Sequence, residues 1–171
     1  MNKKIKIVFG FTLVAAFSVI VYLLAQKIKQ KNEAQLNVKK LPAFEFTTLE
    51  QTSFSNKDLK KGSLVFIFFS TECDYCHYEA RELKKNIDKF SDTQVCMVCS
   101  DEKSKVEDFV KVYDLDKYPQ IKVVLDPQHK SFNYFSVSSV PVVYIYNKEA
   151  ALVKEYKGEV KMEAILASIK S

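Results

Sequence analysis

Four cysteines fall in two C-x-x-C pairs, Cys73/Cys76 and Cys96/Cys99, and three chemistries use thiols at that spacing. The first is dithiol–disulfide exchange at Cys73-Asp74-Tyr75-Cys76. One thiolate must be exposed to attack, and a second thiol must lie within reach to resolve the mixed disulfide. The start of a helix meets both needs. Its unpaired N–H groups favour a thiolate at Cys73, and Cys76 sits about one turn inward. Thr71 is placed as the N-cap, with Asp74 three residues on. The second chemistry is zinc, because C-x2-C-x19-C-x2-C falls within the four-cysteine spacing. Cys96 and Cys99, however, stand in an alternating apolar run, where residues three apart on a strand point to opposite faces. No Gly or Pro supplies the tight turn that a zinc knuckle needs, so both read as small buried apolar residues. The third is haem, since Cys73-Asp74-Tyr75-Cys76-His77 matches C-x-x-C-H, with His as axial ligand. A small c-type cytochrome is nearly all helical, whereas this motif lies in the middle of a β-rich chain. His77 reads instead as an exposed residue of the first helical turn that can tune the thiol. No metal or cofactor is expected beyond a redox-active Cys73–Cys76 disulfide.

The elements around the pair support the first chemistry. Residues 64–69 (LVFIFF) form a wholly apolar run that suits a strand covered on both faces. Residues 93–99, 121–125 and 142–146 are further strands, rich in β-branched and aromatic side chains. The last turns through 147–150 into a hairpin partner at 152–156. Cys76, Ala80, Leu83, Ile87 and Phe90 step by four, three, four and three, which is one face of one helix. Val106, Phe109, Val110 and Tyr113 repeat the pattern behind a capping box of Ser104 and Glu107, and residues 160–169 close the chain as a helix. Strands alternating with helices predict an α/β sandwich with a partly parallel sheet.

The chain has 171 residues and a formal charge of +5. Residues 1–31 hold six lysines and no acid, so the other 140 carry 20 basic and 21 acidic side chains. The basic pI belongs to the N-terminus, so it is no argument for a nucleic-acid surface, and no nucleic-acid partner is expected. With 47% hydrophobic residues and only 3 Gly and 4 Pro, the domain is one that buries a core.

Residues 7–25 form a run of 19 without charge. A helix of that length spans about 28 Å, the thickness of a bilayer's hydrocarbon. The run exceeds the apolar part of a secretory signal, and no small-x-small cleavage site follows it. The expected layout is therefore a short cytoplasmic N-terminus at 1–6, a transmembrane anchor at 7–25, a polar stalk at 26–41 and a domain at 42–171. Flanking lysines nearly tie. A long C-terminal domain translocates despite them, which places the domain on the extracytoplasmic side of the membrane.

The order strand, C-x-x-C, amphipathic helix, strand, helix, strand and then Val140-Pro141 before an apolar strand resembles the thioredoxin superfamily. The anchor and the opening Pro42-Ala43-Phe44-Glu45-Phe46-Thr47-Thr48-Leu49 are similar to its membrane-tethered branch, the TlpA/ResA-like thiol–disulfide oxidoreductases and their AhpC/TSA relatives. The likeness runs over residues 41–170. It implies a thioredoxin-like sandwich: a central mixed sheet with helices on both faces, preceded by one transmembrane helix. It implies further that Cys73 attacks, that Cys76 resolves, that Pro141 is the cis-proline facing the pair, and that Val140 offers its backbone to an extended substrate. Partners would be protein thiols and disulfides together with a membrane or envelope electron donor. The chain departs from the pattern at Glu72, where an aromatic residue is usual, at Asp74-Tyr75, which lack the common proline, and at Ile67, where many thioredoxins bury an acid.

Glu72 and Asp74 set negative charge beside Cys73, opposing the pull of the helix N-terminus. A pair without a strongly favoured thiolate is a reductant, with a potential nearer about −270 mV than −120 mV. Two alternatives stand beside that reading. A thiol peroxidase of the alkyl hydroperoxide reductase type has a Thr or Ser three residues before its cysteine, where Ser70 stands, and a proline further back, where Phe66 stands. The other is a non-catalytic domain that uses the fold to bind a partner.

Overall fold

A computed structural model describes residues 17–29 and 38–170. Two units are distinguished, one up to Leu36 and one from Asn37 onward. In the first, residues 17–29 form helix α1, and its apolar side chains, among them Phe17, Ile20, Tyr22 and Leu24, are exposed. Among the described residues no helix is long and apolar enough to cross a membrane. The expected anchor at 7–25 lies outside the described residues over its first ten positions.

The second unit is built on β1 (Glu45–Thr48), β2 (Ser53–Ser55), β3 (Ser63–Phe69), β4 (Thr93–Cys99), β5 (Ile121–Leu125), β6 (Val142–Tyr146) and β7 (Leu152–Lys157). These form one seven-stranded sheet in the order β2-β1-β5-β4-β3-β6-β7. β3, β4 and β5 run parallel, with Phe66 opposite Cys96 and Phe69 opposite Cys99. β6 lies antiparallel to β3, and β7 closes the expected hairpin against β6.

Alternation along β3 divides the interior in two. Val65, Ile67 and Phe69 point to one face, where they meet α2 (Asp74–Lys85), α3 (Lys103–Tyr113) and α5 (Met162–Ile169). Leu64, Phe66 and Phe68 point to the other, where Phe46, Phe54, Phe135, Tyr144 and Tyr146 surround them. That second face is rich in aromatic rings. Phe66 packs edge-on against Phe44 at 5.2 Å between centroids, and Phe68 does so against Phe132 at 5.1 Å. The short helix α4 (Lys130–Tyr134) brings Phe132 to this face, so helices cover both sides of the sheet, unequally.

The structure corrects several details. β1, β2 and α4 are additional elements, short and polar enough to carry no clear periodicity. The first long helix stops at Lys85, and Ile87–Phe90 continues as a 3-10 turn. Asn86 causes the break. Its backbone N–H reaches the Glu82 and Leu83 carbonyls while its side chain donates to Glu82 O at 2.9 Å, diverting the ladder. Ile87 and Phe90 stay buried all the same. Ser104 and Glu107 form no capping box: α3 begins after Glu102, without a side-chain cap, and Glu107 pairs with Lys103 at 3.4 Å.

Candidate active site

β3 is buried on both faces and ends at Phe69, so the chain leaves the sheet at Ser70 and turns into α2 over Thr71, Glu72 and Cys73. The turn is clamped from two directions. Asp101, at the C-terminal end of the neighbouring strand β4, accepts through Oδ2 from the Ser70 hydroxyl at 2.9 Å, the Thr71 hydroxyl at 2.8 Å and the Thr71 N–H at 2.7 Å. Burial opposes the Asp101 charge, yet these bonds hold its carboxyl below the usual range. From the helix side, His77 Nε2 lies 2.9 Å from the Thr71 carbonyl and Nδ1 lies 2.7 Å from the Tyr113 hydroxyl. A carbonyl only accepts, so Nε2 donates to it, and Nδ1 bonds the Tyr113 hydroxyl, which can both give and take a proton.

Two expectations are corrected here. Thr71 is not the N-cap, because its hydroxyl is committed to Asp101; the cap is Cys73, whose sulfur accepts the Cys76 N–H at 3.3 Å. His77 is not exposed either. It is half-buried, its ring 5.0 Å from that of Phe109, and with both nitrogens engaged it has none free for a haem iron.

The two thiols are unlike. Cys73 is half-exposed, and besides accepting from Cys76 it faces the Val140 carbonyl, 3.7 Å from its sulfur. The Val140–Pro141 peptide bond is cis. Cys76 is 1% exposed, inside the core with Ala80 and Leu83. Burial first, and then its contact with the Cys73 sulfur, push the Cys76 thiol far above its ordinary value. Both are free thiols, as are Cys96 and Cys99. The latter two are buried on opposite faces of the sheet, a geometry in which one metal ion cannot hold both. Burial pushes Cys99 up to about 12, and Cys96 higher still.

Glu72 and Asp74 flank Cys73 as expected, but they are not equivalent. Glu72 Oε1 is 2.6 Å from the Lys105 ammonium of α3, so its charge is offset on the spot. Asp74 opens α2 exposed. The sequence reading missed Asp101, Lys105 and Tyr113, which come from a separate strand end and helix. It also missed Glu79. This carboxyl is 4% exposed, one turn beyond Cys76 on the buried face of α2. Neither of its oxygens has a hydrogen-bond partner among the described residues, and burial pushes its pKa up to about 8. An acid inside the stripe of Cys76, Ala80 and Leu83 was a signal present in the sequence.

This arrangement can carry an exchange between two unlike sulfurs. The half-exposed Cys73 sulfur, which accepts a helix N–H, is placed where a nucleophile is needed. A second thiol waits beneath it, and a carboxyl with a neutral-range proton equilibrium stands near that thiol.

Known proteins share this framework. A thiol–disulfide oxidoreductase ResA of Bacillus cereus (strain ZK / E33L) is 28% identical over 159 residues, covering 91% of this chain and 83% of the relative. The solved structure of a secreted Mycobacterium tuberculosis disulfide oxidoreductase homologous to E. coli DsbE superposes with a TM-score of 0.65 at 16% identity. It covers 74% of this chain and 94% of its own. The exposed lipoprotein thioredoxin of Streptococcus pneumoniae gives 0.62 at 23% identity, over 75% and 98%. Those two likenesses establish a thioredoxin-like fold. The AhpC/TSA family pattern matches residues 38–155, most of the chain, and the protein belongs to that family.

Proposed function

We propose that the protein is a thiol–disulfide oxidoreductase that reduces protein disulfides through Cys73 and Cys76. One observation carries this: a half-exposed Cys73 caps α2 directly above a fully buried Cys76. The oxidoreductase names of the ResA relatives support it. Cys73, as thiolate, attacks one sulfur of the substrate disulfide. That S–S bond breaks, the departing sulfur leaves as a thiolate that takes a proton, and a mixed disulfide forms. Cys76 then attacks Cys73, its proton passing to the nearby Glu79 carboxylate, and the second substrate thiol is released. The site closes as a Cys73–Cys76 disulfide, which an external dithiol must reduce. The Val140 carbonyl, facing Cys73, is available to the backbone of an extended substrate.

The peroxidase alternative is less well served. Its Ser70 hydroxyl donates to Asp101 and accepts from the Glu72 N–H at 3.3 Å, which commits it away from a peroxide at Cys73. Reduction of insulin disulfides with dithiothreitol as donor, run beside hydrogen peroxide consumption, tests the reading. Activity in the first assay alone is expected. Peroxide turnover alone, or no turnover in either, overturns it.

The same reading tethers the domain through residues 7–25 on the extracytoplasmic side, supplied with electrons by a membrane or envelope donor. The charge-free run and the exposed apolar residues of α1 support the tether. Protease added to spheroplasts should digest the domain; full protection refutes that orientation.

A further inference from the structure

Beside Cys73, between the active-site turn and the segment carrying α4, lies an open groove of 230 Å³. Val140 joins the two: it lines the groove, and its carbonyl faces the Cys73 sulfur. Phe69, Phe132 and Val137 give the groove apolar walls, while Ser100, Asp101 and His129 give it polar ones. No lysine or arginine lines it.

One carboxylate stands at this groove. Asp101 spends Oδ2 on Ser70 and Thr71 and also takes a bond from the Cys99 thiol, and its carboxyl stays below the usual range. Ser100 Oγ is buried and unpaired. An apolar occupant would desolvate the Asp101 charge without offsetting it, and an acidic one would be repelled by it. A long cationic side chain matches the whole groove. Its methylenes can lie on Phe132 and Val137 while its cationic head meets the Asp101 carboxylate. An extended substrate advances about 3.3 Å per residue, so a residue next to the target cysteine is within reach.

We propose that this groove is a specificity subsite that takes a lysine or arginine side chain adjacent to the target cysteine of a polypeptide disulfide. The proposal rests on the oxidoreductase reading above and names the substrate class that reading leaves open. Asp101 therefore has two duties, one toward the turn and one toward the substrate.

The test uses full-length protein, dithiothreitol as donor, and peptides closed by one disulfide that differ only in the residue beside the cysteine: Arg, Gln or Glu. Hydroxyethyl disulfide, small and neutral, reports on the thiols alone. The Arg peptide should exceed the Glu peptide about tenfold in kcat/KM, with Gln between them, as expected when a partly exposed charge contact changes sign. Ser138 lines the groove, is exposed and makes no bond to the turn. Ser138→Lys should erase the preference and Ser138→Glu should widen it, while the hydroxyethyl disulfide rate stays the same in both. Equal rates for the three peptides, or Ser138 variants that shift hydroxyethyl disulfide as much as the peptides, overturn the subsite and leave the oxidoreductase reading intact. Failure to reduce any of the disulfides overturns both.

Discussion

Replacing Glu79 by Gln keeps the size and shape of the side chain and removes its proton equilibrium. In the unfolded chain the carboxyl titrates near its ordinary 4.5, whereas in the native core burial raises it to about 8. Below about pH 4.5 both states hold the proton and the group is neutral to stability. Between 4.5 and 8 the unfolded chain releases a proton that the native protein keeps, so stability falls as pH rises. Above 8 both are ionised and the loss is complete. At about 1.4 kcal/mol for each tenfold change in proton affinity, the full loss is about 5 kcal/mol. Water entering around the carboxylate would reduce that figure. Urea unfolding of the reduced protein, followed by circular dichroism from about pH 5 to about pH 8.5, measures it. The advantage of wild type over Glu79→Gln should shrink steadily across that range by several kcal/mol. Parallel curves would mean that the carboxyl is hydrated in the native state and that its burial has been misjudged. The same variant has a kinetic consequence. Attack by Cys73 should be spared, while resolution by Cys76 slows by about a hundredfold, the usual worth of a positioned base. A mixed disulfide should therefore accumulate during turnover. Unchanged resolution would remove Glu79 from the proton path.

Cys76→Ser should trap substrates as mixed disulfides through Cys73, and additional replacement of Cys96 and Cys99 by Ala should leave trapping intact; dependence on either buried thiol, read on non-reducing gels, would contradict the assignment. Asp101→Ala should cost about 3 kcal/mol, from three bonds to one charged acceptor, and should slow even hydroxyethyl disulfide, since the turn holding Cys73 loses its clamp; a normal rate would show that His77 suffices. The Cys73/Cys76 midpoint in glutathione or dithiothreitol buffers should lie nearer about −270 mV than −120 mV, and a value above about −180 mV refutes the electrostatic argument. Lys105→Gln should make the pair more reducing, because it leaves the Glu72 charge unbalanced beside Cys73; no change would mean that both groups are too well solvated to act on the sulfur.

What could be read from the sequence was whatever a single element determines. LVFIFF suits a strand covered on both faces, and it falls in β3, an interior strand of the sheet. The phase of Cys76, Ala80 and Leu83 buried the second thiol, and the spacing of Cys96 and Cys99 on β4 set them on opposite faces. The unread part arises between elements. Asp101 lies about thirty residues from Thr71, and Tyr113 lies thirty-six from His77, so no local pattern shows that they meet. His77 looked exposed because a polar residue in a first helical turn usually is. α3, packed on the same face as α2, covers it instead.

The misassigned cap shows how these distant contacts shape the chemistry. Ser70 and Thr71 are far better N-cap formers than cysteine, and either hydroxyl could compete for the free N–H groups at the start of α2. Asp101 draws both hydroxyls away from the helix. The Cys76 N–H is left to the Cys73 sulfur, at 3.3 Å. A thiolate accepts such a bond better than a thiol does, and the partial positive charge at the helix start acts in the same direction. The residue that caps the helix is thus the residue proposed to react. Asp101 does this from just beyond the end of β4, so replacing it should alter the proposed nucleophile and the start of α2 together.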